Sequence, residues 1–279
     1  MALVVLASAC GSPGVTTTAL ALTMVWPRPV LLVEADPTGS SAVLAGFFRG
    51  EQELRGGLID LALALREDTL IQALPEQALV LDPTAPPERS AWFLPGIRSH
   101  EQATSLLPLW EPLAEVLHGL DAHGQDVLVD AGRLGLTGSP LPLIASSDLT
   151  LLVTRSSLPG LAGARSWAAS LRAQFASVGG LSRLGSVVVD ESGRWPVASS
   201  IVPRVRPYSA RQIAKALDVP ALACLPWEPE VAEVFSHGAR RPRKFETSTL
   251  LRAYRAAAES IAATLAANQT ALAQGMEAI

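Results

Sequence analysis

Apolar and polar positions follow two rhythms along this chain. Short aliphatic runs at 2–8, 29–34, 126–130, 149–154, 185–190 and 220–225 are bounded by turn residues. Their nearly unbroken apolar character predicts strands buried on both faces. The longer segments between them carry apolar residues at helical spacing and predict helices near 15–26, 57–66, 100–119, 159–177, 208–217, 228–237 and 248–274. This alternation predicts an α/β fold, a mainly parallel twisted sheet with helices on both faces. Residues 75–98 depart from it: Leu79-Val80-Leu81 and Trp92-Phe93-Leu94 flank a proline-containing stretch and predict a strand pair at one sheet edge, where proline is tolerated. Residues 191–203 read as a loop or hairpin after a core strand. The last helix presents Leu250, Leu251, Tyr254, Ile261 and Leu265 at helical spacing and reads as docked on the sheet. It lacks the basic and bulky apolar makeup of a membrane-surface helix.

With 279 residues, 49% of them hydrophobic, the chain can bury one substantial core, and a single domain over 1–279 is the simplest division. A net charge of −4 provides no global basic field for nucleic acid. The positive charge is mostly arginine, since the only lysines are Lys215 and Lys244. Cys10 and Cys224 stand at separate strand ends without metal-ligand spacing, which fits a reduced, cytoplasmic protein. His100, His118, His123 and His237 form no ligand spacing, and no Ser/His/Asp or Cys/His arrangement can be drawn. Residues 1–25 lack a basic start and are broken by Gly11, Pro13 and Gly14, so a signal peptide is not expected. No window reaches the roughly 18 uninterrupted apolar residues of a membrane span.

Candidate chemistry is concentrated after the first strand. Leu3-Val4-Val5-Leu6-Ala7 runs into Ser8-Ala9-Cys10-Gly11-Ser12-Pro13-Gly14-Val15-Thr16-Thr17-Thr18 and then into an apolar helical segment. Strand, glycine turn and hydroxyl-bearing helix start are the layout of a loop whose backbone N–H groups cradle phosphates. The general motif has a lysine after its last glycine; here Val15 stands there.

The segment resembles the phosphate loop of the ParA/MinD ATPases, Lys-Gly-Gly-x-Gly-Lys-Thr-Thr, laid without gaps on Cys10 to Thr17. Val30 to Ser40 resembles that family's second strand and acidic switch, Asp126 to Asp130 its strand ending in a Mg²⁺-associated Asp, and Ser147 to Thr154 its next core strand. Ala223-Cys224-Leu225-Pro226-Trp227 resembles the late strand whose end packs near adenine. The resemblance covers roughly residues 1–265.

It implies that Gly11, Ser12, Gly14, Val15, Thr16 and Thr17 line the phosphates and that Pro226 and Trp227 lie beside the base. Thr16 and Asp130 would hold Mg²⁺, and Asp36 would position the attacking water. Both family lysines are replaced, the one that crosses to a partner's nucleotide by Cys10 and the loop lysine by Val15. Pro13 removes one further N–H. Losing the loop lysine costs a charge-assisted bond of roughly 1.5–3 kcal/mol. Losing a preorganised donor at the transferring phosphate slows turnover by about 100–1000-fold. A substitute cation could be Mg²⁺ or an arginine, with Arg133, Arg155, Arg204 and Arg206 as candidates that the sequence does not rank.

The function implied is a degenerate ParA/MinD-like protein of spatial organisation: chromosome or plasmid partitioning, or septum or pole positioning. ATP or ADP with Mg²⁺ would bind weakly or not at all, and hydrolysis would be very weak or absent. The alternative is a pseudo-ATPase interaction module of a pilus-type secretion assembly. Expected partners are another protein and a second copy of the chain. Nonspecific DNA is a further candidate, through the basic run Arg240, Arg241, Arg243 and Lys244 with Arg252 and Arg255 on the next helix.

Overall fold

The structure, a computed structural model, describes residues 2–52, 56–193 and 207–277. Strand β1 (Leu3–Ser8) leads through a loop into α1 (Val15–Val25), followed by β2 (Val30–Glu34) and a short π-helical turn, Val43–Phe47. Then come α2 (Leu58–Arg66), α3 (Leu70–Gln77), β3 (Leu79–Val80), β4 (Ala91–Leu94) and α4 (Trp110–Gly119). The core continues with β5 (Asp126–Arg133), α5 (Leu141–Ser146), β6 (Leu149–Arg155), α6 (Leu158–Ser177) and β7 (Leu184–Asp190). After α7 (Ala210–Leu217) and β8 (Ala221–Pro226), the described chain ends with α8 (Pro229–Ser236) and α9 (Thr249–Glu277).

The eight strands among the described residues form one sheet in the order β3-β4-β2-β5-β1-β6-β7-β8. Every pairing is parallel except β3 with β4, so the expected edge pair is present and β3 forms the edge. Alternate residues of β1 serve opposite faces: Leu3, Val5 and Ala7 pack with α2 to α7, while Val4 and Leu6 pack with α1, α8 and α9. This two-sided burial explains why the strands read as continuous apolar runs.

One expected helix is divided. Residues 100–119 form a 3-10 segment, His100–Leu106, and then α4. Pro108 lies at the junction and has no N–H to continue the ladder. The periodicity of the sequence also passed over α3, α5 and the π-helical turn. Residues 191–193 form one 3-10 turn, and the rest of the expected loop or hairpin lies outside the described residues.

The topology fixes one special place. β1 lies between β5 and β6, and the connections on its two sides run in opposite directions across the sheet. Parallel α/β sheets bind ligands at the carboxyl ends of their strands beside such a switch point. The loop at 10–14 occupies that end of β1. Among the described residues, no helix is long and apolar enough to cross a membrane.

Candidate functional site

Gly11 (φ 73°) and Gly14 (φ 94°) take left-handed conformations in the loop, and Ser12 adopts φ 44°, unusual for a residue with a side chain. Gly14 is the N-cap of α1 and carries no side chain to accept from the first turn. The N–H groups of that turn therefore face the loop without a capping partner, aligned with the positive end of the helix dipole. Thr16 and Thr17 are half-buried in this turn. Val15 is only 6% exposed and joins the apolar cluster between α1 and the sheet. Cys10 lies against α6: its thiol is 3.7 Å from the carbonyl of Pro159, and a Cβ added at Gly163 would meet Sγ at 2.1 Å.

Three carboxylates close the site on its β2–β5 side. Register pairs Asp130 with Glu34 across β2–β5 and with Leu6 across β1–β5, which puts the Asp130 carboxyl at the floor of the loop. Asp130 is 1% exposed, and its Oδ1 accepts from the N–H of Gly132 at 2.9 Å. Its Oδ2 is buried without a hydrogen-bond partner among the described residues. Burial pushes its pKa up to about 7; the Thr16 hydroxyl opposes the shift, and the charge of Asp36 adds to it. Glu34 is also raised, chiefly by burial, although Ser41, Gly96 and Val43 stabilise its charged form. Its Oε2 accepts from the Gly96 N–H at 3.1 Å. Asp36 is half-buried and is oriented by Thr38, whose N–H and hydroxyl both donate to Oδ1, at 2.9 and 2.8 Å. Its carboxyl rests on Gly132, where a Cβ would lie 2.2 Å from Cγ.

Among the described residues, no three His, Cys, Asp or Glu side chains are arranged to hold a metal ion. A hard divalent cation such as Mg²⁺ needs only one or two protein oxygens when phosphate and water complete its shell. The unpartnered Oδ2 of Asp130 and the Thr16 hydroxyl, which interacts with the same carboxyl, fit that requirement.

Beyond the loop lies a cavity of about 220 Å³, lined by Ser12, Pro13, Gly14, Thr17, Thr18, Pro226 and Trp227. The strand-end residues Pro226 and Trp227 thus share one space with the loop. Tyr254 of α9 and Arg155 of β6 also line it. Burial raises the Tyr254 phenol, opposed by its hydrogen bond with Thr18. No local pattern in the sequence marked Tyr254 for the site. Arg155 was one of four undistinguished arginines, and here it reaches the loop: Nη2 donates to the Ser12 carbonyl at 3.0 Å. Arg133 is exposed at the end of β5, and Arg204 and Arg206 lie outside the described residues.

The basic run is not one continuous surface. Arg240, Arg241, Arg243 and Lys244 are all exposed. Arg241, however, pairs with Glu246 at 3.7 Å and lies 5.2 Å over Phe245, while Arg255 pairs with the same Glu246 at 2.6 Å. Arg241 faces a cavity with Arg49 and Arg89, whereas Lys244 faces another with Trp227 and Glu230.

No protein-family model matches the chain, and no curated protein does. Solved structures do. MinD, the cell-division ATPase of Pyrococcus furiosus, superposes with a TM-score of 0.69 at 22% identity, covering 94% of this chain and 98% of that one. MinD of Pyrococcus horikoshii in complex with Mg-ADP gives 0.66 at 20% identity, covering 92% and 94%. A ParA-family ATPase of Chlorobium tepidum gives 0.63 at 18% identity, covering 91% and 98%. With its eight-stranded sheet, the loop at the end of β1 and these superpositions over nearly the whole chain, the protein has the fold of the MinD and ParA P-loop ATPases.

Proposed function

We propose that this chain is a degenerate MinD/ParA-like protein of spatial organisation, acting in partitioning or in septum or pole positioning, and that it holds an adenine nucleotide weakly with negligible hydrolysis. One observation carries this reading: Val15 is buried in the apolar cluster where the chemistry needs a cation, while the surrounding site keeps its form. The first-turn N–H groups of α1 have no side-chain cap and would serve phosphate oxygens. The 220 Å³ cavity is smaller than the ~300–1,000 Å³ of pockets enclosing a drug-sized ligand, so it suits base and sugar and leaves the phosphates over the loop. Thr16 and Asp130 would hold Mg²⁺, which when bound screens the charge of neighbouring phosphates. Asp36, fixed by Thr38 and Gly132, would orient a water.

The test is calorimetric titration of the full chain with ADP and Mg²⁺, together with phosphate release from ATP. Weak binding with release far below the ~1 per second of ordinary enzymes is expected. Turnover above that rate, abolished by Asp36→Ala, would show that another residue replaces the lysine in catalysis and would overturn the reading.

The arrangement of Cys10 favours a second reading, a pseudo-ATPase module in a pilus-type secretion assembly. Its side chain packs against Pro159 and Gly163 and carries no charge to reach a partner's nucleotide. Dimerisation would then use other contacts, with a twofold interface as the default. Sedimentation with and without ATP and Mg²⁺ separates the two. A monomer that dimerises only with ATP excludes the module.

A further inference from the structure

The loop has lost its own cation, yet a cation touches it. Arg155, the last residue of β6, is held from three sides. Nη2 donates to the carbonyl of Ser12 at 3.0 Å, Nη1 lies 3.4 Å from Oε1 of Glu191, and the guanidinium lies 5.9 Å over the ring of Trp227. The Glu191 side chain is only 8% exposed, so this ion pair is shielded from solvent and keeps the arginine in place. Among the described residues, the buried Arg155 Nε has no hydrogen-bond partner. Among the described residues lining the cavity between the loop and Trp227, Arg155 alone is cationic, whereas Glu228 and Glu233 lie on the wall formed by α8 and its N-cap. The cavity is therefore polarised, positive where it meets the loop and negative toward α8.

We propose that Arg155 is the phosphate-recognising cation of this site and takes over from β6 the charge that position 15 no longer supplies. The inference rests on the nucleotide reading above and adds the residue that makes it work. A guanidinium suits the task because its planar fork of donors serves two acceptors at once. With Nη2 on the loop carbonyl and Nη1 on Glu191, it is already oriented before a ligand arrives. The side chain keeps 27% of its surface exposed, and the second N–H of each terminal nitrogen is left to donate to a phosphate oxygen over the loop. Trp227 keeps the guanidinium plane from swinging into solvent.

Three proteins test this by calorimetry with Mg-ADP and with adenosine: the natural chain, Arg155→Lys and the double variant Arg155→Gln/Glu191→Gln. The double variant removes both charges and leaves no buried carboxylate unpaired, so it remains folded. ADP affinity should fall about 10–100-fold in the double variant, with adenosine changed less than about twofold, and Arg155→Lys should recover part of the loss. Equal ADP affinity in the natural chain and the double variant overturns the proposal and leaves the nucleotide reading intact. Equal losses for ADP and adenosine also overturn it, because Arg155 would then only shape the cavity. If the natural chain binds neither ligand, the nucleotide reading fails and takes this inference with it.

Discussion

Glu34, the last residue of β2, is the register partner of Asp130 in β5, and both are almost fully buried with raised pKa values. Desolvation by burial is the main cause at both carboxyls, and the charge of Asp36 adds to each, with Glu34 contributing a smaller repulsion at Asp130. Their placement predicts how stability depends on pH.

In metal-free buffer with EDTA, stability should fall as pH rises from 5 to 8. Asp130 has a folded pKa of about 7 against an ordinary 3.8. Between these values the folded protein holds a proton that the unfolded chain has released, so this contribution is full below the ordinary value and lost as pH passes the folded one. Glu34, raised in the same direction, adds to the slope. Urea melts at pH 5, 6.5 and 8 measure it, and Asp130→Asn should flatten most of it. An unchanged slope in that variant would assign the effect elsewhere.

Val15→Lys should tighten Mg-ADP binding by about 10–100-fold, because it returns a charge-assisted bond to the loop. Withdrawing the valine from its apolar cluster should cost about 1 kcal/mol of stability. Calorimetry and thermal melts read the two effects separately. No gain in affinity would mean that the missing N–H of Pro13 limits the loop more than the missing charge does.

Gly163→Ala should destabilise the protein by about 1–2 kcal/mol, since the new methyl meets Cys10 Sγ at 2.1 Å and Cβ at 3.0 Å. Introducing Cys10→Ala as well should recover part of the loss, since it removes Sγ but keeps Cβ, helped by the better helix propensity of alanine over glycine in α6. A double-mutant cycle by chemical denaturation checks the coupling. Additive effects would show that the thiol can turn away from α6 at no cost.

DNA binding should be nonspecific and confined to low salt. Two of the arginines in the basic segment, Arg241 and Arg255, share Glu246, so Arg240, Arg243 and Lys244 carry most of the unpaired charge. Anisotropy with random duplex should show binding at ~50 mM salt and its loss at ~200 mM. Arg240→Ala/Arg243→Ala/Lys244→Ala should abolish the low-salt signal. Equal binding by that variant would make the segment ordinary solvated surface.

Much of the fold was legible because it is encoded locally. β1, β2, β5, β6, β7 and β8 are apolar on both faces, and a run such as Val30 to Val33 announces a covered parallel strand without reference to anything distant. The loop was legible for the same reason: Gly11 and Gly14 allow backbone that other residues take only with strain. The division at Pro108 was also written in the chain, but helical periodicity on both sides masked it. Which charges meet at the site could not be read in this way. Arg155 and Ser12 are separated by 143 positions, and they meet because the strand order puts β6 beside β1. The same order sets Glu34 against Asp130 and leaves Oδ2 buried without a partner among the described residues. Periodicity decides which face of an element is covered, since it depends on side chains a few residues apart. The neighbours of a charge depend on how the sheet is threaded, and only the tertiary structure decides that.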